Sequence, residues 1–364
     1  MISVVERTSD PLRIAVLAPI AWRTPPRAYG PWEQVASNIA EGLVRRGHDV
    51  TLFATGDSVT AGRLHAVCGR GWEEDPSVDV GVWKLMHIAE AFERADEFDL
   101  IHNHFDYPSL TYSRLVKRPV VTTIHGFSSP SLYPAYEKYN ANTYYVSISD
   151  ADRYNAIDYV GTVYNGIDLA DFTYSDRRDD HLLWLGRICH EKGTAEAIDI
   201  ARRSGRKLVL AGIIQEEDYY RQRVAPFVDN DQVRFIGPVG PRDRDDLLGK
   251  AAALLHPVMR PERFGLVMIE AMACGTPVIG FDKGSVREVV AHGQTGYVVD
   301  DVDAAVAAVG RLDAIDPARC RRRVEDRFTC DVMVDGYVDV YRRVLRMHGE
   351  RHQVGPGPEA VEVG

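Results

Sequence analysis

The sequence predicts an α/β protein built from two doubly wound halves, each a parallel sheet with crossover helices. Three observations predict this. Short β-branched and leucine-rich runs alternate with helical patterns, the mark of βαβ units and a parallel sheet. The rhythm stops at a polar gap, Asp171–Asp180 (DFTYSDRRDD), and then restarts. The chain has 364 residues, which suits two domains of ordinary size.

The elements follow in order. Ile14–Ala18 is a strand bounded by Pro19. Pro31–Arg46 is a helix, with Val35, Ile39 and Leu43 at fourfold spacing, Pro31 in its first turn and Gly47 at its stop. Val50–Ala54 is a strand, and a helix over Trp83–Ala95 leads to the strand Leu100–His102. Another helix is expected before Val120–Ile124, and Tyr144–Ile148 and Thr162–Tyr164 complete the first half. After the gap come the strand Leu182–Leu185, the helix Thr194–Ser204, and strands at Lys207–Ala211, Val233–Ile236, Ala252–His256 and Pro277–Phe281. A long last helix, Asp331–Arg346, carries Val334, Tyr337, Val338 and Tyr341 on one face. The tail His348–Gly364 is Gly- and Pro-rich and is expected to be disordered. The expected domains are therefore 1–168 and 169–330, then a helix over 331–347 and a tail over 348–364.

Composition narrows the function. The chain is 45% apolar and 26% charged, ordinary for a globular protein. Its net charge of −10 argues against a nucleic-acid partner. A small anionic ligand stays open, because a few local donors suffice to bind phosphate. Five cysteines lie far apart with no metal-type spacing, which points to buried free thiols in a reducing compartment. The first ten residues, MISVVERTSD, lack the pattern of a signal peptide. The uncharged stretch Pro119–Tyr136 holds three prolines and several polar residues, so it does not read as a membrane span. The location expected is the cytoplasm.

Two segments carry the chemistry. The first, Gly186-Arg187-Ile188-Cys189-His190-Glu191-Lys192-Gly193, leaves a strand and enters a helix. Two cations beside a helix start suit a diphosphate, because amide donors, helix dipole and charge add. A solvated basic loop is the plain alternative. The second segment runs from Pro261 to Pro277 (PERFGLVMIEAMACGTP). Glu262 lies in a loop, Glu270 two helical turns on, and Gly265 lets the backbone approach a ligand closely. Two carboxylates at one sheet edge can grip the vicinal hydroxyls of a sugar and of a ribose, or simply face solvent. In doubly wound sheets ligands bind outside the carboxyl ends of the strands, so a two-part ligand is expected between the halves.

These segments resemble the C-terminal half of the retaining GT-B glycosyltransferases of family 4 (glycosyl transferases group 1). The first half agrees: Pro25-Pro26-Arg27-Ala28-Tyr29-Gly30-Pro31-Trp32-Glu33 is similar to the family's loop after the first strand, and Arg46-Gly47-His48-Asp49-Val50 to its RGHxV turn. Asp99-Leu100-Ile101-His102, Thr123-Ile124-His125-Gly126 and Asn165-Gly166-Ile167-Asp168 also fit, so the resemblance covers residues 12–346. It implies two Rossmann-like domains facing a central cleft, with the last helix, 331–347, packing back on the first domain. It implies transfer of a hexose from a UDP- or GDP-linked sugar to a hydroxyl acceptor with retention, the nucleotide-sugar being substrate and no cofactor or metal being needed. Arg187 and Lys192 would bind the diphosphate. Glu262 would contact the donor sugar, with the amides of Phe264, Gly265 and Leu266 on its hydroxyls. Glu270 would hold the ribose, Gly30 would approach the phosphate, and His125 would sit beside the transferred sugar. Two departures stand out: Pro31 follows Gly30 and removes one N–H, and Pro257-Val258 stands where many members have Pro-Ser.

Competing readings are weaker. A dinucleotide-dependent oxidoreductase wants GxGxxG after the first strand, yet residues 18–33 contain only Gly30. A phosphorylase or epimerase on the same fold is the nearer alternative. A phosphorylase needs a lysine for pyridoxal phosphate, and the chain has seven lysines, none in a convincing context. A sugar-binding protein without catalysis is opposed by the retained Arg187, Lys192, Glu262 and Glu270. His102 and His104 alternate on a strand end and could pair on a metal, though no third ligand is obvious. Asp229-Asn230-Asp231 reads as a turn, Gly284–Glu288 as a helix opening near the donor, and Arg321-Arg322-Arg323 as a solvated helix face. Residues 1–168 hold 15 Lys and Arg against 21 Asp and Glu, which ill suits docking on an anionic bilayer. Ten of the 17 tyrosines fall within 107–164, and the segment 127–139 is expected to stack an acceptor. The acceptor expected is a small hydroxylated molecule or sugar, with no stable membrane association.

Overall fold

A computed structural model describes residues 10–27, 30–126 and 129–353. Residues 1–9, which carry most of the N-terminal segment read above, Ala28 and Tyr29 of the first loop, Phe127 and Ser128 of the expected acceptor segment, and 354–364 of the expected tail lie outside the described residues. The chain divides into two compact units. One takes the described parts of 1–147, 154–162 and 334–364; the other takes 148–153 and 163–333. The chain thus passes between units at four places: twice around 148–153, once after 162, near the expected boundary at 168, and once after 333, near the expected start of the last helix at 331.

The first unit holds β1 (Arg13–Leu17), α1 (Pro31–Arg45), β2 (Asp49–Phe53), β3 (Arg63–His65), α2 (Val80–Glu93), β4 (Leu100–Asn103), β5 (Val120–Ile124), α3 (Tyr133–Lys138), β6 (Tyr144–Ser147) and β7 (Tyr159–Thr162). Its seven strands lie in the order β3-β2-β1-β4-β5-β6-β7, with every neighbouring pair parallel. The second unit holds β8 (Leu182–Leu185), α4 (Thr194–Arg203), β9 (Leu208–Ala211), α5 (Glu217–Tyr219), β10 (Val233–Phe235), α6 (Pro241–Lys250), β11 (Ala253–His256), α7 (Leu266–Ala273), β12 (Val278–Phe281), α8 (Val286–Val289), β13 (Gly296–Val299), α9 (Val302–Val309) and α10 (Pro317–Arg327). Its six strands run β10-β9-β8-β11-β12-β13, again all parallel. The central strands of each sheet are buried, largely apolar runs, because helices cover both faces of such a sheet, while the edge strand β3 is exposed.

The last helix, α11, spans Cys330–Gln353. From Val334 onward it belongs to the first unit, where Tyr337 and Tyr341 are fully buried and Val334 packs into the gap left by Gly42 of α1. Six residues of the expected tail continue this helix. His348 hydrogen-bonds to the Lys117 carbonyl at 2.8 Å and to Tyr144 at 3.2 Å, which holds that last turn.

Other local readings change. Before β5 stands a 3₁₀ turn, Tyr107–Tyr112, with Pro108 in its first turn, rather than an α-helix. The strand expected at 162–164 is β7, three residues earlier. Arg321 and Arg323 do not form a solvated face: Arg321 donates to the carbonyls of Phe172 and Ala273, and Arg323 to those of Val289 and Glu288. Only Arg322 matches the expectation, with its side chain 59% exposed. Asp229–Asp231 is a turn, its Asp229 carboxylate accepting from the amides of Asp231, Gln232 and Val233. All five cysteines are buried and stand outside any disulfide. Among the described residues no helix is long and apolar enough to cross a membrane.

Candidate active site

In the second unit the strand order reverses between β8 and β11, and crevices at such a reversal are where doubly wound sheets bind ligands. The loops that leave these strands, residues 186–193 and 257–265, hold the first of the segments singled out above and the start of the second, which continues through α7. They are fastened together. Gly193 adopts φ +68°, and a Cβ there would lie 1.8 Å from the Pro257 carbonyl oxygen. The Met259 amide donates to the Glu191 carbonyl at 2.8 Å. Only glycine permits that approach, so the position is set by packing as much as by any ligand.

At the junction, the Lys192 ammonium lies 2.6 Å from Glu262 Oε2, and His256 Nε2 lies 3.0 Å from the same oxygen. The Arg263 amide donates to Oε1 at 3.1 Å. Glu262 and His256 are both buried, while the Lys192 side chain is 24% exposed. Burial by itself would raise the Glu262 carboxyl. The His256 hydrogen bond and the Lys192 charge outweigh it and hold the group well below the usual carboxylate range. Glu262 is therefore an ionised, acceptor-only group. A carboxylate offers about four lone-pair sites; three are taken, and the remaining one is on Oε1. The segment after β12 holds the backbone of this residue: Glu262 pairs in a bridge with Gly284, and the Ser285 amide donates to the Glu262 carbonyl at 3.0 Å. The expected helix opening at 284–288 thus supports Glu262 and leads into the single turn of α8.

Arg187, five residues before Lys192, pairs with Glu191 at 3.2 Å and also donates to Gln215. Its side chain is 30% exposed. Gly265 caps the start of α7 with φ +77°; the Met268 amide donates to the Gly265 carbonyl at 3.0 Å, while the amides of Leu266 and Val267 have no acceptor within the helix. Leu266 is the first helical residue, so its N–H is one of these donors. The Phe264 ring is core, packed on Tyr164 and Phe328, which leaves its backbone as the part able to face a ligand. Glu270 is not part of the Lys192–Glu262 cluster. It pairs with Arg244 at 3.2 Å, and its carboxyl is raised by burial, with Arg244 opposing and Asp171 adding to the rise. Arg244 in turn lies over the Phe172 ring.

In the first unit the reversal lies between β1 and β4. Gly30 precedes α1 with φ +151°, and the buried Glu33 of that helix accepts from the Trp22 amide at 3.3 Å, which ties down the loop after β1. Burial pushes the Glu33 carboxyl up to about 7. His125 follows β5, stacked on Trp32 at 5.4 Å between ring centroids. Its Nε2 lies 2.9 Å from His104 Nδ1, and His104 Nε2 lies 3.3 Å from His102 Nδ1. The third histidine missing from the sequence reading is thus His125, but contact alternates along the rings, so they form a chain and do not converge on one ion. Among the described residues no group of His, Cys, Asp and Glu is arranged to hold a metal.

Most of the tyrosines of this region pack inside the first unit. Tyr136 and Tyr145 are fully buried, Tyr144 and Tyr139 nearly so, and Tyr133 stacks on Tyr154 at 3.9 Å. Their rings fill the core beside β5 and β6, because aromatic area is worth more buried than exposed. Tyr136, Tyr139, Tyr144 and Tyr145 offer no open ring face, whereas Tyr133 is only partly buried.

Sequence reasoning missed His256 and Arg244. His256 ends an apolar strand and directly precedes Pro257, a position that reads as core until the loop folds Glu262 back onto it. Arg244 lies in the first turns of α6, where charged residues are common and carry no signal.

A chain with two parallel doubly wound sheets of this strand order, and a cation–carboxylate pair at the reversal of the second, has the build of a GT-B glycosyltransferase. Comparison with known proteins agrees. The family description Glycosyltransferase Family 4 matches residues 32–171, and Glycosyl transferases group 1 matches residues 173–322. The glycogen synthase of Mycobacterium tuberculosis is 27% identical over 86% of this chain and 90% of its own. The crystal structure of AviGT4, a glycosyltransferase involved in avilamycin A biosynthesis, superposes with a TM-score of 0.69 at 25% identity, over 92% of this chain and 98% of that one. Anabaena HepE, crystallised with UDP and glucose, has the same fold at a TM-score of 0.69 and 20% identity, over 91% of this chain and 99% of its own. The chain belongs to the family 4, group 1 glycosyltransferases.

Proposed function

We propose that this glycosyltransferase moves a hexose from a UDP- or GDP-linked sugar to a hydroxyl of a small, hydroxylated or sugar acceptor, with retention at the anomeric carbon. The observation that carries the reading is the Lys192–Glu262–His256 cluster: a buried carboxylate held ionised, with one lone pair left, beside a partly exposed ammonium. HepE, of the same fold, was crystallised with UDP and glucose, which supports a nucleotide-sugar donor here.

Each residue then has a task. Arg187 and Lys192 neutralise charge that grows on the departing diphosphate, the kind of preorganised electrostatics that contributes most to catalysis. Glu262 Oε1 accepts from a donor-sugar hydroxyl, and the amides of Phe264, of the cap residue Gly265 and of Leu266, the first residue of α7, serve the remaining sugar oxygens. Glu270 takes the ribose hydroxyls. Gly30 approaches the phosphate and His125 the transferred sugar. The sugar passes through an oxocarbenium-like state, and the acceptor attacks from the face the diphosphate leaves. A diphosphate oxygen takes the acceptor proton, so no side-chain base is required. No metal or cofactor is invoked. The proposed setting is the cytoplasm, with no stable membrane association.

The test is a thermal-shift screen of UDP-, GDP- and ADP-sugars, then acceptor trials with the best donor, read by mass spectrometry and by the anomeric coupling of the product. A donor at 100-fold its Kd should stabilise by about 2.7 kcal/mol. Stabilisation by no nucleotide-sugar would reject the donor class, and an inverted product would reject retention.

A further inference from the structure

The three buried histidines are joined to the last helix. His102 Nε2 lies 2.8 Å from Thr123 Oγ1, and Thr123 Oγ1 lies 2.9 Å from the Tyr337 hydroxyl. His102 Nδ1 lies 2.7 Å from the Tyr341 hydroxyl. The whole chain reads Tyr341, His102, His104, His125, and every member is buried.

We infer that the Tyr341 hydroxyl of α11, acting through His102 and His104, sets the tautomer of His125, so that His125 carries its proton on Nε2 and presents Nδ1 as a hydrogen-bond acceptor. The inference rests on the reading that places His125 beside the donor sugar. All three rings are neutral, since burial drives His102 and His125 down to about 3 and His104 well below its ordinary value. Each therefore has one N–H and one bare nitrogen. Burial also keeps the Tyr341 phenol protonated. A buried hydroxyl left without an acceptor costs about 1–3 kcal/mol, and His102 Nδ1 is the hydrogen-bond partner of Tyr341 among the described residues. Tyr341 thus donates, His102 Nδ1 is bare, and His102 Nε2–H donates to Thr123. Two bare nitrogens facing one another would repel, so His104 Nε2 carries its proton toward His102 over the longer 3.3 Å contact. His104 Nδ1 is then bare, and His125 Nε2–H donates to it at 2.9 Å. Nδ1 of His125 is left bare and makes no hydrogen bond to a described residue. His102, His104 and Tyr341 are positioning residues: they decide whether His125 accepts or donates. The acceptor form suits a sugar hydroxyl.

The experiment uses full-length protein labelled with ¹⁵N-histidine. Long-range ¹H–¹⁵N spectra identify which nitrogen of each ring is protonated. The wild type should show His125 as the Nε2–H form at neutral pH. Tyr341→Phe frees His102 Nδ1 to carry the proton, and the chain then reverses, leaving His125 as Nδ1–H. With the reversal, kcat/KM should fall about five- to tenfold, the worth of one neutral hydrogen bond. Tyr337→Phe, which removes only a partner of Thr123, should leave the His125 tautomer unchanged. A wild-type His125 protonated on Nδ1 would overturn the inference without any variant. So would a Tyr341→Phe protein that folds and keeps the Nε2–H form. The underlying reading fails separately: if His125→Ala turns over the donor like wild type, His125 does not serve the sugar, whatever its tautomer.

Discussion

Arg187 and Lys192 are two cations of one loop whose partners make them unequal. Lys192 neutralises a buried carboxylate, whereas Arg187 pairs with the half-exposed Glu191 and with Gln215. Arg187→Ala should lower kcat/KM by ~10²–10³-fold, as expected for a lost transition-state charge donor, at little cost in stability. Lys192→Ala should show a similar kinetic loss and also destabilise by ~1–3 kcal/mol, because Glu262 loses its cation. Denaturant melts beside steady-state kinetics check this, and equal stabilities would refute the distinction. The two glutamates divide in the same way. Glu270→Ala should weaken binding of free UDP or GDP in calorimetry, while Glu262→Ala should leave it within about twofold and cut turnover, an interaction made with the sugar alone. Equal effects on nucleotide affinity would reject the division.

At the scale of elements, α1 and α11 meet through a glycine. A Cβ on Gly42 would lie 2.4 Å from Val334 Cγ2, and a β-branched side chain has little rotamer freedom to retreat. Gly42→Ala should therefore destabilise by ~1–3 kcal/mol through overpacking, despite alanine's better helix propensity. Val334→Ala in the same chain should recover much of the loss. Thermal melts of the two single variants and the double measure the coupling. Additive losses would show that the contact is not tight. The pattern of Val334, Tyr337 and Tyr341 announced a buried face for α11, but nothing in the spacing said that a glycine on α1 would receive it.

Over the whole first unit, the buried histidines govern acid stability. His87, His102 and His125 are driven down to about 4, 3 and 3 from an ordinary 6.5, in each case mainly by burial, and His104 falls well below it. The folded state thus binds fewer protons than the unfolded chain at pH between these values and 6.5. Their contribution is complete above pH 6.5 and is lost as pH falls, at about 1.4 kcal/mol per pH unit for each ring. Denaturant midpoints should fall steeply from pH 6.5 to 5, and His87→Gln, which keeps a donor for the Ala18 carbonyl 2.9 Å from the ring, should make the slope shallower. A slope unchanged by that substitution would mean that His87 already titrates normally. The chain's net charge of −10 bears on a different question, the acceptor. A protein working on soluble hydroxylated molecules should not co-sediment with anionic vesicles, and salt-sensitive binding would reverse that expectation.

The alternation of strand and helix, the polar gap at 171–180 and the GR…EKG and E-x7-E spacings were enough to read two parallel doubly wound sheets and to nominate Arg187, Lys192, Glu262 and Glu270. These signals are local: a strand, its loop and the helix after it are contiguous, so their chemistry is written in consecutive letters. What the sequence left open depends on residues far apart in it. Lys192 and Glu262 meet across 70 positions because Gly193 lies against Pro257, and His256 joins them only once the loop after β11 turns back. Which of the tyrosines of 133–145 are core was likewise open: Tyr136, Tyr139, Tyr144 and Tyr145 are buried and Tyr133 only partly so, since burial is a property of the packed sheet and not of composition. His102, His104 and His125 carry no spacing that links them to Tyr341, 239 residues beyond His102. That contact exists because α11 belongs to the first unit, and only tertiary packing could decide it.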